Sequence, residues 1–457
     1  MGFKKSLIAV TATAAIAASA VPALALENEF HGMFRLFSAV SNFNNSETAA
    51  GFYDPYGIRK DPQTATYFEQ RARLMYIAKA NDDLKLVTHF EIDSKWGDSS
   101  YTTKSASTSG GAIGADTVNI ETKSVYLDFN IPGSGVNAKV GIQPYADVFK
   151  GVLFDADMAG IQVSRSFGDL DAGAGFFRFN DNSSGSVPGK RTRDMFAATG
   201  KYAVTKDIKV GGAYYFIDDD RSAPDGYVAG PLFQLIGFAD TSTLHNVGVN
   251  AEATFGPVTV DGFFVYQFGT LRAPVDRHIS AFAGNVGARA KVGPGTARTE
   301  FLYVSGAKNA NSSTFNGFQS VADENGYYGG NMQLLFRDAY AMSTDNALVY
   351  TPNNMDQGVI AGFVGYDLPI TSKLSASANA GFAAVAKKWQ TLGSADPDNK
   401  YLGTELNATV EYKLYDNMSV LGRGAYVILG SYYDGVAAGG ENPDDPYMAS
   451  LILNYAF

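Results

Sequence analysis

The chain has 457 residues, among them 49 Gly, 59 aromatic residues and no Cys, with 18% charged residues, which excludes a disordered chain, collagen, a coiled coil and any disulfide or thiolate-metal scaffold. Acidic residues outnumber basic ones by 46 to 36, so no overall electrostatic grip on nucleic acid phosphate is expected.

Residues 1–25 read as a separate, removable object. Lys4 and Lys5 form a positive start, residues 7–21 are small and mostly apolar, and Ala23-Leu24-Ala25 presents small residues where a signal peptidase reads. Cleavage is expected after Ala25, because the stretch is shorter than the roughly 20 apolar residues of a spanning helix. Its loss removes two lysines and takes the net charge from −10 to −12. Residues 26–457 then form a single domain. No later stretch approaches a spanning helix in length, so a membrane-embedded mature chain has to cross as strands.

From Glu27 onward one unit repeats: an alternating run of about ten residues, a tight turn, a second run, then a longer polar loop. Val258, Val260, Phe264, Tyr266 and Phe268 share one parity against Thr259, Asp261 and Gln267. Leu406, Ala408, Val410 and Tyr412 alternate likewise with Glu405, Asn407, Glu411 and Lys413. Successive strand side chains point to opposite faces, so each run has an oily and a wet side. The short connections are Asn81-Asp82-Asp83, 131–135, Gly168-Asp169, Thr205-Lys206-Asp207, Gly256-Pro257, Gly293-Pro294-Gly295, 368–372 and Tyr415-Asp416-Asn417. All are rich in turn formers. Between them lie long stretches near 41–65, 95–117, 148–158, 181–191, 219–243, 270–278, 306–357, 389–401 and 431–446. Strict short-long alternation predicts an all-β, transmembrane antiparallel β-barrel of 18 strands, with 16 as the alternative. Short turns gather at the periplasmic end and long loops at the outside. The weakest points are the strand after Gly358 and residues 306–357, where Met332 to Phe336 leaves room for another strand or an in-folded segment.

A soluble sandwich would show the same alternation. Against it, aromatics sit just before the short turns (Tyr76, Phe129, Phe167, Tyr202, Phe255) as an interfacial girdle would. The oily sides carry small residues such as Ala376, Ala378 and Gly424, which make a poor interdigitated core. The last strand places Leu451, Leu453, Tyr455 and Phe457 on one parity and ends on Phe457.

Signal peptide, hairpin grammar and the ending Leu451-Ile452-Leu453-Asn454-Tyr455-Ala456-Phe457 resemble the Gram-negative outer-membrane porins over essentially the whole mature chain. The segments Tyr67 to Leu74 and Phe90 to Asp93 are loosely similar to OmpJ-type porins of metal-reducing bacteria. The resemblance implies passive diffusion of small hydrophilic solutes, a homotrimer, contact with outer-membrane lipid and lipopolysaccharide, and a C-terminal signal (Tyr455, Phe457) read by the barrel-assembly machinery. It also implies an inward-folded third loop, which puts Phe149, Lys150, Phe154, Asp155 and Asp157 forward as constriction residues.

Sixteen to eighteen strands leave an aqueous lumen. On the wet parity the basic residues are Arg71, Arg73, Lys123, Lys139, Arg178, Arg289, Arg298 and Arg423, against Glu69, Glu91, Glu121, Glu252, Asp261, Glu300 and Glu405. The signs nearly balance. Arg71, Arg73 and Arg298 are expected to form a basic wall with a slight anion lean, or else to pair with Glu69 and Glu300 and stiffen the barrel. No metal or cofactor site is expected: His31, His89, His245 and His278 are scattered, and no Cys is present. No catalytic constellation stands out either; His278 beside Arg277 and Asp276 is the nearest to one. A saccharide channel would use wet-parity rings, for which Phe176, Tyr215 and Phe263 qualify. A structural sheath around another outer-membrane complex is the remaining alternative.

Overall fold

In the computed structural model the described residues are 26–43, 58–98, 110–113, 120–181, 188–220, 241–272, 276–308, 313–321, 326–327, 329–344, 346–389 and 392–457. The segment expected to be a signal peptide and the centres of several long loops lie outside them.

The strands are β1 (Glu27–Ser41), β2 (Ala65–Asn81), β3 (Leu84–Lys95), β4 (Glu121–Ile131), β5 (Val136–Ala146), β6 (Asp155–Phe167), β7 (Leu170–Asp181), β8 (Thr192–Ala203) and β9 (Ile208–Asp219). They continue with β10 (Thr241–Phe255), β11 (Val258–Arg272), β12 (Asp276–Val292), β13 (Gly295–Val304), β14 (Thr314–Phe315), β15 (Val359–Pro369), β16 (Leu374–Val385), β17 (Tyr401–Tyr415), β18 (Met418–Leu429) and β19 (Tyr447–Ala456). Neighbours along the chain pair antiparallel, and β1 closes the cylinder by pairing with both β2 and β19. The two-residue β14 lies outside the wall: it runs parallel to β12 at His278 and Ile279, while β13 pairs directly with β15. The wall is therefore an 18-strand barrel. Closure matters physically, because a backbone group left unpaired in hydrocarbon costs several kcal/mol and only a cylinder has no edge.

Eight tight turns sit at one end, each where the turn residues place it. At the other end the connection expected at 270–278 is much shorter, since β11 runs to Arg272 and β12 starts at Asp276. The third loop is shortened too: Asp155 and Asp157 belong to the start of β6.

Parity carries across the seam where the barrel closes. Arg35 lies opposite Arg71 on one side and Asn454 on the other, and Asn454 opposite Ser419. One parity carries buried residues such as Phe37, Phe177, Tyr215, Val265 and Ile452. The other exposes Val249, Phe264, Val364, Leu406 and Leu451, large apolar groups that only acyl chains would cover at about 25 cal/mol per Å².

The seam depends on one glycine. Gly32 N–H donates to the Phe457 carbonyl (2.9 Å) and Phe457 N–H to the Gly32 carbonyl (3.0 Å). A Cβ on Gly32 would stand 2.4 Å from the Phe457 ring. Gly32→Val is therefore expected to cost about 1–3 kcal/mol of seam packing. The check is the heat-modifiable mobility of the folded barrel, which should be lost at lower temperature than in the parent.

Candidate functional site: the inner wall and its folded-in loops

Two connections leave the outer rim and fold into the lumen. The first, residues 147–154, is built around the buried Asp147, just past β5. Its carboxylate accepts N–H groups from Phe149 (2.6 Å) and Gly151 (3.1 Å) on one oxygen, and from Leu153 (2.7 Å) and Phe154 (2.9 Å) on the other. Burial pushes its pKa up to about 6, and among the described residues no cation stands beside it to offset this. The loop thereby presses Phe149 against Tyr215 and Phe263, and Phe154 against Tyr145 and Tyr215. Gly248 leaves room for the Phe149 ring, since a Cβ there would lie 2.6 Å from it. Lys150 reaches back toward water, with Nζ 2.7 Å from Asp261 and 3.3 Å from Glu300.

The second connection, residues 305–358, continues the filling, a role its sequence leaves open. It meets the first loop through Ser320 Oγ to the Val152 carbonyl (2.7 Å), Val321 N–H to the Leu153 carbonyl (2.8 Å) and Gly326 N–H to the Gly151 carbonyl (3.1 Å). Further on, Glu405 of β17 accepts three consecutive N–H groups, from Gln333, Leu334 and Leu335 (2.6–3.0 Å). Asp338 makes a doubly hydrogen-bonded pair with Arg423 (2.7 and 2.9 Å), and the Tyr340 ring lies between the Arg35 and Arg423 guanidiniums, 4.8 and 4.7 Å away. Thr344 donates to Glu69. The segment returns to β15 through Asn354, Met355 and Asp356, whose φ values of 47°, 53° and 63° are left-handed and cost about 1 kcal/mol or more each. Burial pushes the Asp356 carboxyl up to about 7.

The barrel interior is thus a core of loop side chains and inward wall side chains that includes Phe37 of β1, Met158 of β6, Phe177 of β7 and Met195 of β8 as well as Tyr215, Phe263 and Ile452 further round. Beneath segment 331–340, toward the short turns, a cavity of about 590 Å³ remains, lined by Arg35, Tyr340, Asp367, Asn379, Glu411 and Arg423.

The expected wall residues are distributed as follows. Arg71 takes Asp93 (2.8 and 2.5 Å) and Glu91 (3.2 Å), and Arg73 takes Glu91. Glu121 lies opposite Glu91 in register. Lys139 lies 5.9 Å from the Tyr126 ring. Arg289 meets Glu252 (2.9 Å) and Asp261 (3.6 Å). Arg298 meets Asp367 (2.9 and 3.2 Å) and Asn379. Neither Arg71 with Glu69 nor Arg298 with Glu300 is a pair: Glu69 is held by Thr344, and Glu300 by Lys150, Asn285 and Tyr327. Lys123 and Asp157 join β4 to β6 at 2.9 Å, but on the outward parity, Lys123 sharing that of exposed Val125 and Asp157 opposite to that of buried Met158, so neither lines the lumen or a constriction.

Three further expectations need correction. Arg178 shares the parity of Phe176, opposite to buried Phe177, and pairs with Asp194 at the outer rim (2.8 and 3.0 Å); it is an outward residue. Phe176 is outward as well, and Tyr215 and Phe263 are covered by Phe149, so these rings form no exposed sugar track. Arg423 and Glu405 are buried under the 331–340 segment. Sequence reading missed Arg35, whose place in the long β1 run Phe34-Arg35-Leu36-Phe37 is its only signal.

No protein-family model matches the sequence, and no curated protein does. Solved structures do. A BenF-like porin from Pseudomonas fluorescens is 14% identical, over 94% of this chain and 98% of that one, with a TM-score of 0.52. Pseudomonas aeruginosa OccK2, crystallised with glucuronate, is 13% identical over 94% and 96%, TM-score 0.52. Acinetobacter baumannii OccAB1 is 10% identical over 94% and 96%, TM-score 0.51. The chain has the 18-stranded fold of Gram-negative outer-membrane porins.

Proposed function

We propose that the protein is a passive channel of the outer membrane that admits small hydrophilic solutes and ions, with weak selectivity and a slight anion lean. One observation carries the lean. Arg35 Nε donates to Asn454 (2.8 Å) and Nη1 to the Tyr340 carbonyl (3.3 Å), yet among the described residues no carboxylate stands within ion-pair distance of it. It is paired in register with Arg71 and lines the open cavity, so this stretch of wall presents to water one cation that no carboxylate holds in an ion pair. The sugar carboxylate seen with OccK2 has the charge such a wall would favour.

Export through residues 1–25, assembly guided by Tyr455 and Phe457, and a homotrimer belong to the same reading. Reversal potentials across a salt gradient in planar bilayers test it. The parent should favour anions slightly, and Arg35→Glu should move the preference toward cations without loss of conductance. Strong cation preference in the parent would refute the lean.

A further inference from the structure

Arg35 stays free of ion pairs although three carboxylates, Asp338, Asp367 and Glu411, line the same cavity. Asp367 is taken up by Arg298 (2.9 and 3.2 Å). Glu411 is on β17, three strands and roughly 14 Å of sheet away from β1. Asp338 is the carboxylate within reach, since it stands two residues before Tyr340, whose carbonyl accepts Arg35 Nη1 at 3.3 Å.

The local turn keeps the two apart. Asp338 accepts two bonds from Arg423 (2.7 and 2.9 Å) and the Tyr340 N–H (3.0 Å), and Ala341 N–H closes the turn on the Asp338 carbonyl (3.0 Å). This turn sets the Tyr340 ring between the two guanidiniums, 4.8 Å from Arg35 and 4.7 Å from Arg423, where its π-face attracts both cations. Arg35 thus meets the segment through a ring and a neutral carbonyl, and the wall through the Asn454 amide (2.8 Å). None of these partners cancels its charge.

We propose that Tyr340 is a positioning residue for ion selectivity: its ring holds Arg35 apart from Asp338 and so keeps that cation facing the water of the cavity. The inference rests on the anion lean assigned to Arg35 above. A carboxylate has about four acceptor sites, and the three bonds to Asp338 leave one open. With the ring gone, Arg35 moves onto that site, and the wall loses one unpaired positive charge while the charge of the chain is unchanged.

The test is the reversal potential of the full folded barrel across a KCl gradient in planar bilayers, each variant read as a shift from its own background. Tyr340→Phe keeps the ring and should keep the parental value. Tyr340→Leu keeps bulk and the main-chain carbonyl but removes the ring, and should shift the potential toward cations until the anion lean is lost. In an Arg35→Gln background the same Tyr340→Leu change should shift nothing, because the effect runs through Arg35. Limited proteolysis of segment 331–342 should stay at the parental level in Tyr340→Leu, since the Glu405 and Arg423 anchors remain. No shift in Tyr340→Leu, or as large a shift in Tyr340→Phe, would overturn the proposal. Equal shifts with and without Arg35 would trace the effect to a loosened segment and overturn it too. A strongly cation-selective parent refutes the anion lean by itself, and the shifts between variants then still decide the role of Tyr340; a parent that forms no channel refutes both.

Discussion

Replacing Asp147 by Ala is expected to unseat the 147–154 loop and raise single-channel conductance. Four N–H groups would lose their only carboxylate acceptor in a buried site, and each buried donor left unsatisfied costs about 1–3 kcal/mol. The loop's remaining contacts are ring packing, the Lys150 pairs with Asp261 and Glu300, single hydrogen bonds of Val148 with Tyr215 and Asn250, and three bonds to Ser320, Val321 and Gly326, and none of these offers the four N–H groups another acceptor. The same residue gives a pH dependence of definite sign. Burial raises the Asp147 carboxyl from an ordinary 3.8 to about 6, so the seated loop binds a proton more readily than the released one. Seating is then strongest below about pH 4 and weakens as pH rises through 6, by about 3 kcal/mol in all. Asp356, pushed to about 7 by burial, extends the effect upward in the same direction. Conductance of the parent should increase between pH 4 and 7. Asp147→Asn, permanently neutral, should keep one pair of acceptor bonds and flatten the lower part of that rise, and Asp356→Asn the upper part. A parent whose conductance falls over this interval would show that protonation of Asp147 does not seat the loop.

Arg423→Ala should have an effect of similar size at the other anchor. Arg423 and Asp338 are both about 4% exposed and doubly hydrogen-bonded. Removing one member of such a pair leaves an uncompensated buried charge and costs about 3–5 kcal/mol. Tyr340 would lose one of its two flanking guanidiniums as well. Segment 331–342 should undock from β17 and β18 and become susceptible to limited proteolysis, while the wall, held by its own ladder, keeps its heat-modifiable mobility. Asp338→Leu with Arg423→Met should restore protection, because an apolar pair of similar volume removes both desolvation penalties. Protection unchanged in Arg423→Ala would show that Glu405 and its three N–H donors hold the segment unaided.

The wall was legible in the sequence because every strand there obeys one local rule. Lipid demands an apolar side chain at every second position, and Val258 to Phe268 or Leu406 to Tyr412 show it without help from distant residues. Turn chemistry marked the eight tight turns for the same reason. The loops obey no such rule. Segment 331–340 is seated by Glu405 and Arg423, about 70 to 85 residues away in sequence, and no periodicity reports a contact of that kind. Glu405 and Arg423 looked like wall charges because the parity that points into water also points into whatever folds into the lumen. Arg178 went astray for a related reason: it stands at the end of an outward row where lipid gives way to headgroups, so a charge there breaks the alternation without facing inward. The Asp147 hub was out of reach altogether, since four backbone donors leave no mark on side-chain pattern.

Water is expected to run the length of the barrel beside the folded-in loops, along the wall that carries Lys139 and Thr199. A chain with no Cys allows a direct check. Lys139→Cys and Thr199→Cys place thiols on the inward parity and Ala198→Cys on the outward one. Single-channel conductance is recorded before and after a charged, membrane-impermeant thiol reagent. A stepwise drop is expected for the two inward positions and none for Ala198→Cys. Absence of any channel in the parent, or inward thiols that the reagent never reaches, would contradict it.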